Sequence, residues 1–582
     1  MTVTPEVKSL QIAALARGYA AGAYTPADVV AEVFRRIGER GDDGVWITLR
    51  PIGDVLAEIR PGPLYGVPFA VKDNIDVAGL PTTAACPGYA YVASRTAPLV
   101  ERLLAAGALL IGKTNLDQFA TGLSGIRSPY GVPESPLVPG LISGGSSSGS
   151  AVAVSAGLVS FAVGTDTAGS GRVPAALTGV VGLKPSRGAV PTTGLVPACA
   201  SLDCASVFAL SVPDAVTTAG IMADGLALGG PAGRLRVGVP AQLEFFGDEA
   251  ARSAFDETVA ALAGLGHEIV AVDFAPFLAA GRLLYEGPWL AERLAGVGDF
   301  VLSRPGEVHP ITREVLSRGG EITGVEVFRG LARLAELRAE TTATWADIDV
   351  LAVPSVPATV TVAEMTADPI RLNSMLGHYT TFANLLDLAA VAVPAGMTGE
   401  GRPHGLTLLG PSGSDGLIAH LADAFHRRQA ERNPDGMTGA LRQSLEEVTT
   451  RAPEPVVLAV VGAHRTGQPL HPQLAALGAR CQGLSGTARA YRLYDLGDRP
   501  GMMRVTGGES VEVELHHLTP EALGRLLVQI PAPLGLGTIE LSDGRLVHGF
   551  LCESYAAADA KDITEFGSWP AYLNSRGGPP ER

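Results

Sequence analysis

The stretch from Ser143 to Ser150, Ser-Gly-Gly-Ser-Ser-Ser-Gly-Ser, and the run Gly164-Thr165-Asp166-Thr167-Ala168-Gly169-Ser170-Gly171-Arg172 concentrate hydroxyl groups among glycines. Three chemistries suit such residues. A phosphate loop needs a lysine directly after the second of two glycines five apart; Gly164 and Gly169 have that spacing, but Ser170 stands where the lysine belongs. A nucleophile elbow needs Gly-x-Ser-x-Gly at the end of a strand; Gly145 to Gly149 fits the letters, yet Pro133, Pro136 and Pro139 precede it and argue against a central strand. The third chemistry is a serine armed by an amine. The first histidine of the chain is His267, so a Ser-His-Asp arrangement would need a distant imidazole. A serine stays a weak nucleophile until a base takes its proton, and a desolvated lysine of lowered pKa is such a base. The chain has only five lysines, Lys8, Lys72, Lys113, Lys184 and Lys561, beside 39 arginines. Each lysine therefore raises the question of whether its position needs an amine that can lose a proton, which arginine does not supply. Lys72 closes the apolar run Val67 to Val71, a setting suited to desolvation. From the residues alone, Lys72 as a base and Lys72 as a structural charge paired with Asp73 or Asp76 stay equally open.

The elements that must position these groups follow from periodicity. Ser9 to Arg40 repeats apolar residues at helical spacing in two runs, with Thr25 as N-cap and Pro26 at the first helical position of the second. Val67 to Val71 and Ala108 to Ile111 read as buried strands around a helix from Leu99 to Ala106, and Leu195 to Cys204 reads as irregular. Alternation continues with strands at 235–239, 268–272, 350–353 and 388–393 and helices at 250–265 and 417–428, which predicts an α/β layer structure with a largely buried sheet. Asn433 to Gly436 and Thr449 to Pro455 are turn-rich and mark the domain boundary. Beyond it, strands are expected at 456–461, 488–493, 510–515, 538–541 and 546–551, the last two joined at Ser542-Asp543-Gly544, with one helix from Thr519 to Leu527. About 125 residues of this kind make a small α+β domain.

Composition removes several alternatives. The 582 residues allow two to four domains, and the net charge of −15 argues against a nucleic-acid footprint or binding to an anionic membrane surface, so an anionic ligand must be held locally. Five cysteines are too sparse for a disulfide framework, and neither a CxxC pair nor a His-rich run gives zinc-ligand spacing; no metal and no cofactor are expected. The first ten residues do not read as a secretory leader, and the most apolar stretch, Ala151 to Gly164, is too short to span a bilayer. A reducing, cytoplasmic setting is the expectation.

Read in order, Gly66-Val67-Pro68-Phe69-Ala70-Val71-Lys72-Asp73-Asn74, Gly144 to Gly149, Gly164 to Ala175 and Gly182-Leu183-Lys184-Pro185 resemble the amidase signature family. Lys72 and Ser146 lie 74 residues apart and Ser146 and Ser170 lie 24 apart, similar to that family's Lys, cis-Ser and nucleophilic Ser. The resemblance covers about residues 1–440 and implies a mixed β-sheet covered by helices. It makes Ser170 the nucleophile, Ser146 a proton shuttle following a cis peptide, and Lys72 the base and later the acid. It places backbone N–H groups of Thr167, Ala168, Gly169 and Ser170 toward the oxyanion, and gives Asp166, Arg172, Lys113 and Lys184 supporting roles.

A second resemblance narrows the substrate. Asp117 to Gly131, Tyr285-Glu286-Gly287-Pro288-Trp289-Leu290-Ala291-Glu292-Arg293 and, further on, Val460 to Leu470 look like the allophanate hydrolase branch of the family. This implies a linker at 441–455 and a C-terminal domain at 456–582 similar to gamma-glutamyl cyclotransferases. The implied reaction turns allophanate, a small urea derivative carrying a carboxylate, into ammonia and N-carboxycarbamate, which then loses carbon dioxide, in urea or cyanurate nitrogen catabolism. Arg293 would clamp the carboxylate, Tyr285 hydrogen-bond the same end, and Gly122 offer its carbonyl to the urea-like nitrogen. On one uninterrupted helix Tyr285 and Arg293 would stand about 80° apart, and Pro288 is placed to kink or start that helix. His464, with Glu553 second, is the candidate for assisting decarboxylation in the C-terminal domain. The resemblance further implies a homodimer and urea carboxylase as a functional partner. The rival readings are an amidase of the same mechanism on another small amide such as malonamide, the glutaminase-type component of an amidotransferase, or a binding protein on a decayed amidase scaffold.

Overall fold

The computed structural model describes residues 7–223, 233–432 and 456–576. The turn at Asn433–Gly436 and the 441–455 linker expected from the sequence lie outside them. The chain divides into two compact units, Met1–Thr449 and Thr450–Arg582.

The first unit is built on one sheet. Its strands are β1 (Trp46–Leu49), β2 (Pro68–Lys72), β3 (Leu109–Thr114), β4 (Phe161–Asp166), β5 (Val181–Lys184) and β6 (Cys204–Ala209), followed by β7 (Arg236–Pro240), β8 (Glu268–Val272), β9 (Val350–Pro354), β10 (Leu388–Met397) and β11 (Pro403–Pro411). They lie in the order β1-β3-β2-β4-β6-β5-β10-β11-β9-β7-β8. The sheet is mixed: β2 runs parallel to β3 and β4, whereas β4, β6, β5, β10 and β11 pair antiparallel in succession. Every residue of β2, β3, β4, β6 and β9 is buried, so both faces of these strands are covered and they show no alternation of buried and exposed positions. Phe69 of β2 stacks on Phe161 of β4 with ring centroids 5.2 Å apart. The strands expected at 235–239, 268–272, 350–353 and 388–393 are present with ends shifted by a few residues.

The two N-terminal helices are Ile12–Ala20 and Pro26–Arg40. Thr25 caps the second in a reciprocal box with Asp28. Two helices that periodicity does not mark matter most for the site: α1 (Ser148–Ser155) and α2 (Arg172–Thr178), both fully buried. Further along, α3 (Ala275–Glu286) and α4 (Trp289–Ser303) are separate helices. Gly287 is extended at φ −119° and Pro288 starts the second helix, so the single uninterrupted helix does not form. Among the described residues no helix is long and apolar enough to cross a membrane.

The second unit is α+β. Strands β12 (Val456–Val460), β13 (Arg480–Gly486), β14 (Glu512–Leu518), β15 (Leu534–Glu540) and β16 (Leu546–Cys552) form a sheet in the order β13-β14-β12-β16-β15. A three-stranded sheet is made by Tyr491–Asp495, Pro500–Arg504 and Lys561–Asp562. β15 and β16 form the hairpin announced by Asp543-Gly544, and Thr519 caps the helix Pro520–Leu527. Strand β13 carries no alternation, with three of its first four residues exposed, and escapes a reading by pattern.

Candidate active site

Parallel pairing of β2 with β4 brings the C-terminal ends of both strands to the same edge, which puts Lys72 beside Thr165 and Asp166. The loops that leave this edge enter α1 and α2, so Ser146 stands two residues before one buried helix and Ser170 two residues before the other. Lys72 Nζ lies 2.8 Å from Ser146 Oγ and 2.7 Å from Thr165 Oγ1, and donates to both. The side chain is fully buried, and among the described residues no carboxylate pairs with it directly. Burial pulls its pKa down to about 7, against the opposing field of Asp117, Asp203 and Asp166. The alternative of an ion pair with Asp73 is answered by Lys113, whose Nζ sits 2.9 Å from Asp73 Oδ1 and also donates to Pro81 O and Thr82 Oγ1.

The peptide between Gly145 and Ser146 is cis. A side chain at 145 is excluded, because its Cβ would stand 2.2 Å from Asp117 Oδ2. Asp117 organises this turn: its own N–H donates to Ser146 O, and its carboxylate accepts from the N–H groups of Ser124, Gly125 and Arg127. Gly145 N–H in turn donates to Leu123 O at 2.8 Å. Gly122 is held in the same loop, where a Cβ would meet Asp117 Oδ2 at 2.6 Å.

The Ser170 loop is held by a buried ion pair. Asp166 accepts from Arg172 Nε and Nη2 at 2.9 and 2.8 Å and from the N–H groups of Gly169 and Gly171 at 3.0 and 3.1 Å. Arg172 keeps the Asp166 carboxyl below its ordinary range despite full burial. Arg172 also donates to Thr380 O and Asn384 Oδ1, and Asn384 Nδ2 returns a bond to Asp166 O. Gly169, at φ +127°, admits no side chain: a Cβ would stand 2.3 Å from Thr380 Oγ1. Because the Gly169 N–H is already given to Asp166, the loop N–H groups not engaged among the described hydrogen bonds are those of Thr167, Ala168 and Ser170. Ser170 itself is 2% exposed.

Tyr285 lies in the last turn of α3 and Arg293 in α4, and the break between the helices brings them together. The guanidinium sits 5.0 Å over the Tyr285 ring, with Nη2 3.5 Å from its hydroxyl. Arg293 is fully buried, yet Nε and Nη1 have no hydrogen-bond partner among the described residues. Its field reaches Asp203, which accepts from Thr167 Oγ1 at 2.5 Å and so ties this cation to the Ser170 loop. A cavity of about 190 Å³ lies alongside, lined by Leu123, Tyr285, Asn373, Gly377 and Thr381 among others. Thr165, Asp203, Thr380 and Asn384 are site residues that spacing does not reveal, since each acts through a contact made across the fold.

In the second unit His464 lines a cavity of about 440 Å³ together with Gln473, Arg499, Gln529 and Phe550. Its ring stacks on Phe550 at 5.1 Å, its Nε2 lies 3.2 Å from Gln473 Oε1, and burial lowers its pKa. Glu553 is exposed and does not line this cavity.

The chain matches the family described as Amidase over residues 53–418 and that described as Allophanate hydrolase C-terminal domain over residues 456–574. Urea amidolyase of Saccharomyces cerevisiae is 38% identical over 571 residues, which are 91% of this chain and 31% of that protein. The 2-amino-5-chloromuconic acid deaminase of Comamonas testosteroni is 34% identical over 377 residues, 62% of this chain and 81% of that protein. The solved structure of selenomethionine-substituted Kluyveromyces lactis allophanate hydrolase superposes with a TM-score of 0.72 at 35% identity, covering 99% of this chain and 100% of that one. The chain spans about a third of the length of the urea amidolyases it matches. With a mixed sheet of the matching fold, an amidase match over most of the first unit and full-length likeness to a solved relative, the chain belongs to the amidase signature family and carries an allophanate hydrolase C-terminal domain.

Proposed function

We propose that this chain hydrolyses allophanate to ammonia and N-carboxycarbamate, with Ser170 as nucleophile, Ser146 as proton shuttle and Lys72 as base and acid. The observation that carries the reading is the buried, carboxylate-free Lys72 amine at hydrogen-bond distance from Ser146 Oγ. A neutral amine accepts the Ser146 proton while Ser146 takes that of Ser170, whose Oγ attacks the terminal amide carbon. The Thr167, Ala168 and Ser170 N–H groups face the developing oxyanion; each donor in such a site is worth about 3–4 kcal/mol. Lys72 returns the proton through Ser146 to the leaving nitrogen, ammonia departs, and water repeats the relay to release the product and regenerate Ser170.

Arg293 supports an anionic substrate. A buried guanidinium whose Nε and Nη1 lack partners among the described residues offers a carboxylate charge-assisted hydrogen bonds, and Tyr285 flanks the same group. Gly122 stands in the loop next to the cavity, with its carbonyl proposed for the urea-like nitrogen. The test is ammonia release from allophanate by wild type and Ser170→Ala, with malonamide as the neutral comparison. Turnover of allophanate that is lost in Ser170→Ala supports the reading. Equal turnover by both proteins overturns it, and faster turnover of malonamide than of allophanate makes this an amidase for another small amide.

A second reading concerns the C-terminal unit, where the position of His464 in a 440 Å³ cavity favours a part in decarboxylating the first product. In the full chain, His464→Asn should leave the first ammonia release intact and slow carbon dioxide release. The same proposal carries a homodimer in a cytoplasmic setting, supplied with substrate by urea carboxylase; sedimentation equilibrium tests the dimer.

A further inference from the structure

Glu514 and His516 are two residues apart on β14, so their side chains share one face of the strand. Both are buried, at 6% and 1% exposure. Across from them His471 opens the short helix His471–Ala476 and is half-buried. One donor atom from each of the three residues lies within 4.8 Å of the other two. We propose that these three side chains form a binding site for one divalent first-row transition metal ion, with zinc the best-suited candidate.

The donor set argues for the class of ion. Two imidazoles and one carboxylate suit zinc and its neighbours, whereas calcium and magnesium take oxygen ligands. Donors about 2 Å from a tetrahedral ion stand about 3.3 Å from one another. His516 Nε2 and Glu514 Oε1 are 2.7 Å apart in a hydrogen bond, so an ion would take the place of the shared proton and spread this pair slightly, with the rest of the adjustment made by His471 at the first turn of a six-residue helix.

The surroundings are those of a built site. Glu514 Oε1 is fixed by the N–H and the hydroxyl of Thr466 at 2.9 and 2.7 Å. His471 Nδ1 lies 3.4 Å from His464 O, the kind of backbone contact that sets the tautomer of a ligating imidazole and leaves Nε2 free to bind. An ion held here would link the turn carrying His464 to β14, and so brace one wall of the cavity that His464 lines. The site depends neither on Ser170 nor on the identity of the amide.

The test uses the full chain, freed of metal by chelator, titrated with zinc by calorimetry and with cobalt by visible absorption. The expected result is one ion per chain, ligand-field bands from cobalt, and affinity at least about 10-fold weaker in His471→Asn. His517→Asn, on the opposite face of β14, should bind as the wild type does. Because His471 is half-buried at a helix start, its substitution leaves the core intact, which circular dichroism checks. Zinc should also raise the thermal transition of the wild type and not that of His471→Asn. Failure to bind either metal, or equal affinity in wild type and His471→Asn, overturns the proposal.

Discussion

Replacing Lys72 with Met should cut turnover by orders of magnitude and, at neutral pH, stabilise the fold. Moving the amine from the ordinary lysine value of 10.5 to about 7 corresponds to about 5 kcal/mol of unfavourable burial of the charged form. Met removes that penalty but leaves the Ser146 and Thr165 hydroxyls without their partner, at about 1.5 kcal/mol each. The net gain at pH 7 and below is about 2 kcal/mol, or about 2 °C in the melting transition of a unit of this size. Between about pH 7 and 10.5 the unfolded lysine binds a proton that the folded one does not, so the wild type gains stability as pH rises through this window. The advantage of Lys72→Met therefore shrinks above pH 7, reverses at about pH 8, and gives way only above about pH 10.5 to the loss of the two hydrogen bonds alone. The assay is thermal unfolding of both proteins from pH 6 to 10, with ammonia release followed alongside. Activity of Lys72→Met should fall by at least about 10²–10⁴-fold, and wild-type kcat/KM should rise through a midpoint near 7 to a plateau. A variant that is less stable by the same amount at every pH, or a flat wild-type profile between pH 6 and 8, would refute a desolvated amine at this position.

Three further outcomes follow from the site. Arg293→Ala should lower kcat/KM for allophanate by about 10–150-fold, from about 1.5–3 kcal/mol of lost charge-assisted bonding, and that for malonamide by less than about 3-fold; equal losses would remove Arg293 from carboxylate recognition. Arg172→Met should destabilise the amidase unit by about 3–5 kcal/mol at pH 7, since Asp166 is left buried and unpaired, with the loss easing as acid protonates Asp166; guanidinium unfolding at pH 7 and pH 4 measures it. Gly169→Ala should reduce kcat far more than the yield of folded protein, because its Cβ would collide with Thr380 Oγ1 beside Ser170; steady-state kinetics with circular dichroism separates the two effects.

What could be read in the sequence was whatever local spacing encodes. The first N-terminal helix declares itself through apolar spacing, the second also through a cap and a proline, and the buried strands through short apolar runs. Helices α1 and α2 do not, since Ser148-Gly149-Ser150 and Pro174 are poor helix formers; complete burial, and not propensity, makes these segments helical. Site residues divide in the same way. Lys72, Ser146 and Ser170 sit in glycine-rich or strand-end motifs visible in one dimension, whereas Asp203, Thr380 and Asn384 reach the Ser170 loop from 36 to 218 residues away. The ligand set at His471, Glu514 and His516 is spread over 46 residues of sequence and has no metal-motif spacing at all.

The scarcity of lysine was the most informative compositional fact, and the structure explains how far it reaches. Three of the five lysines, Lys72, Lys113 and Lys184, are buried, so the chain does place amines where arginine would not serve. Burial alone does not distinguish them, because it pulls Lys113 down as well. What separates them is the partner. Lys113 faces the Asp73 carboxylate and two oxygens of the Pro81–Thr82 strand, so its proton is held by an opposite charge; Lys184 donates to a backbone carbonyl. Among the described residues Lys72 hydrogen-bonds only to hydroxyl groups, which accept a hydrogen bond from the charged amine and donate one to the neutral amine with equal ease. An amine in that company can change protonation without leaving a stranded charge behind, and that freedom is what a base that must later act as an acid requires.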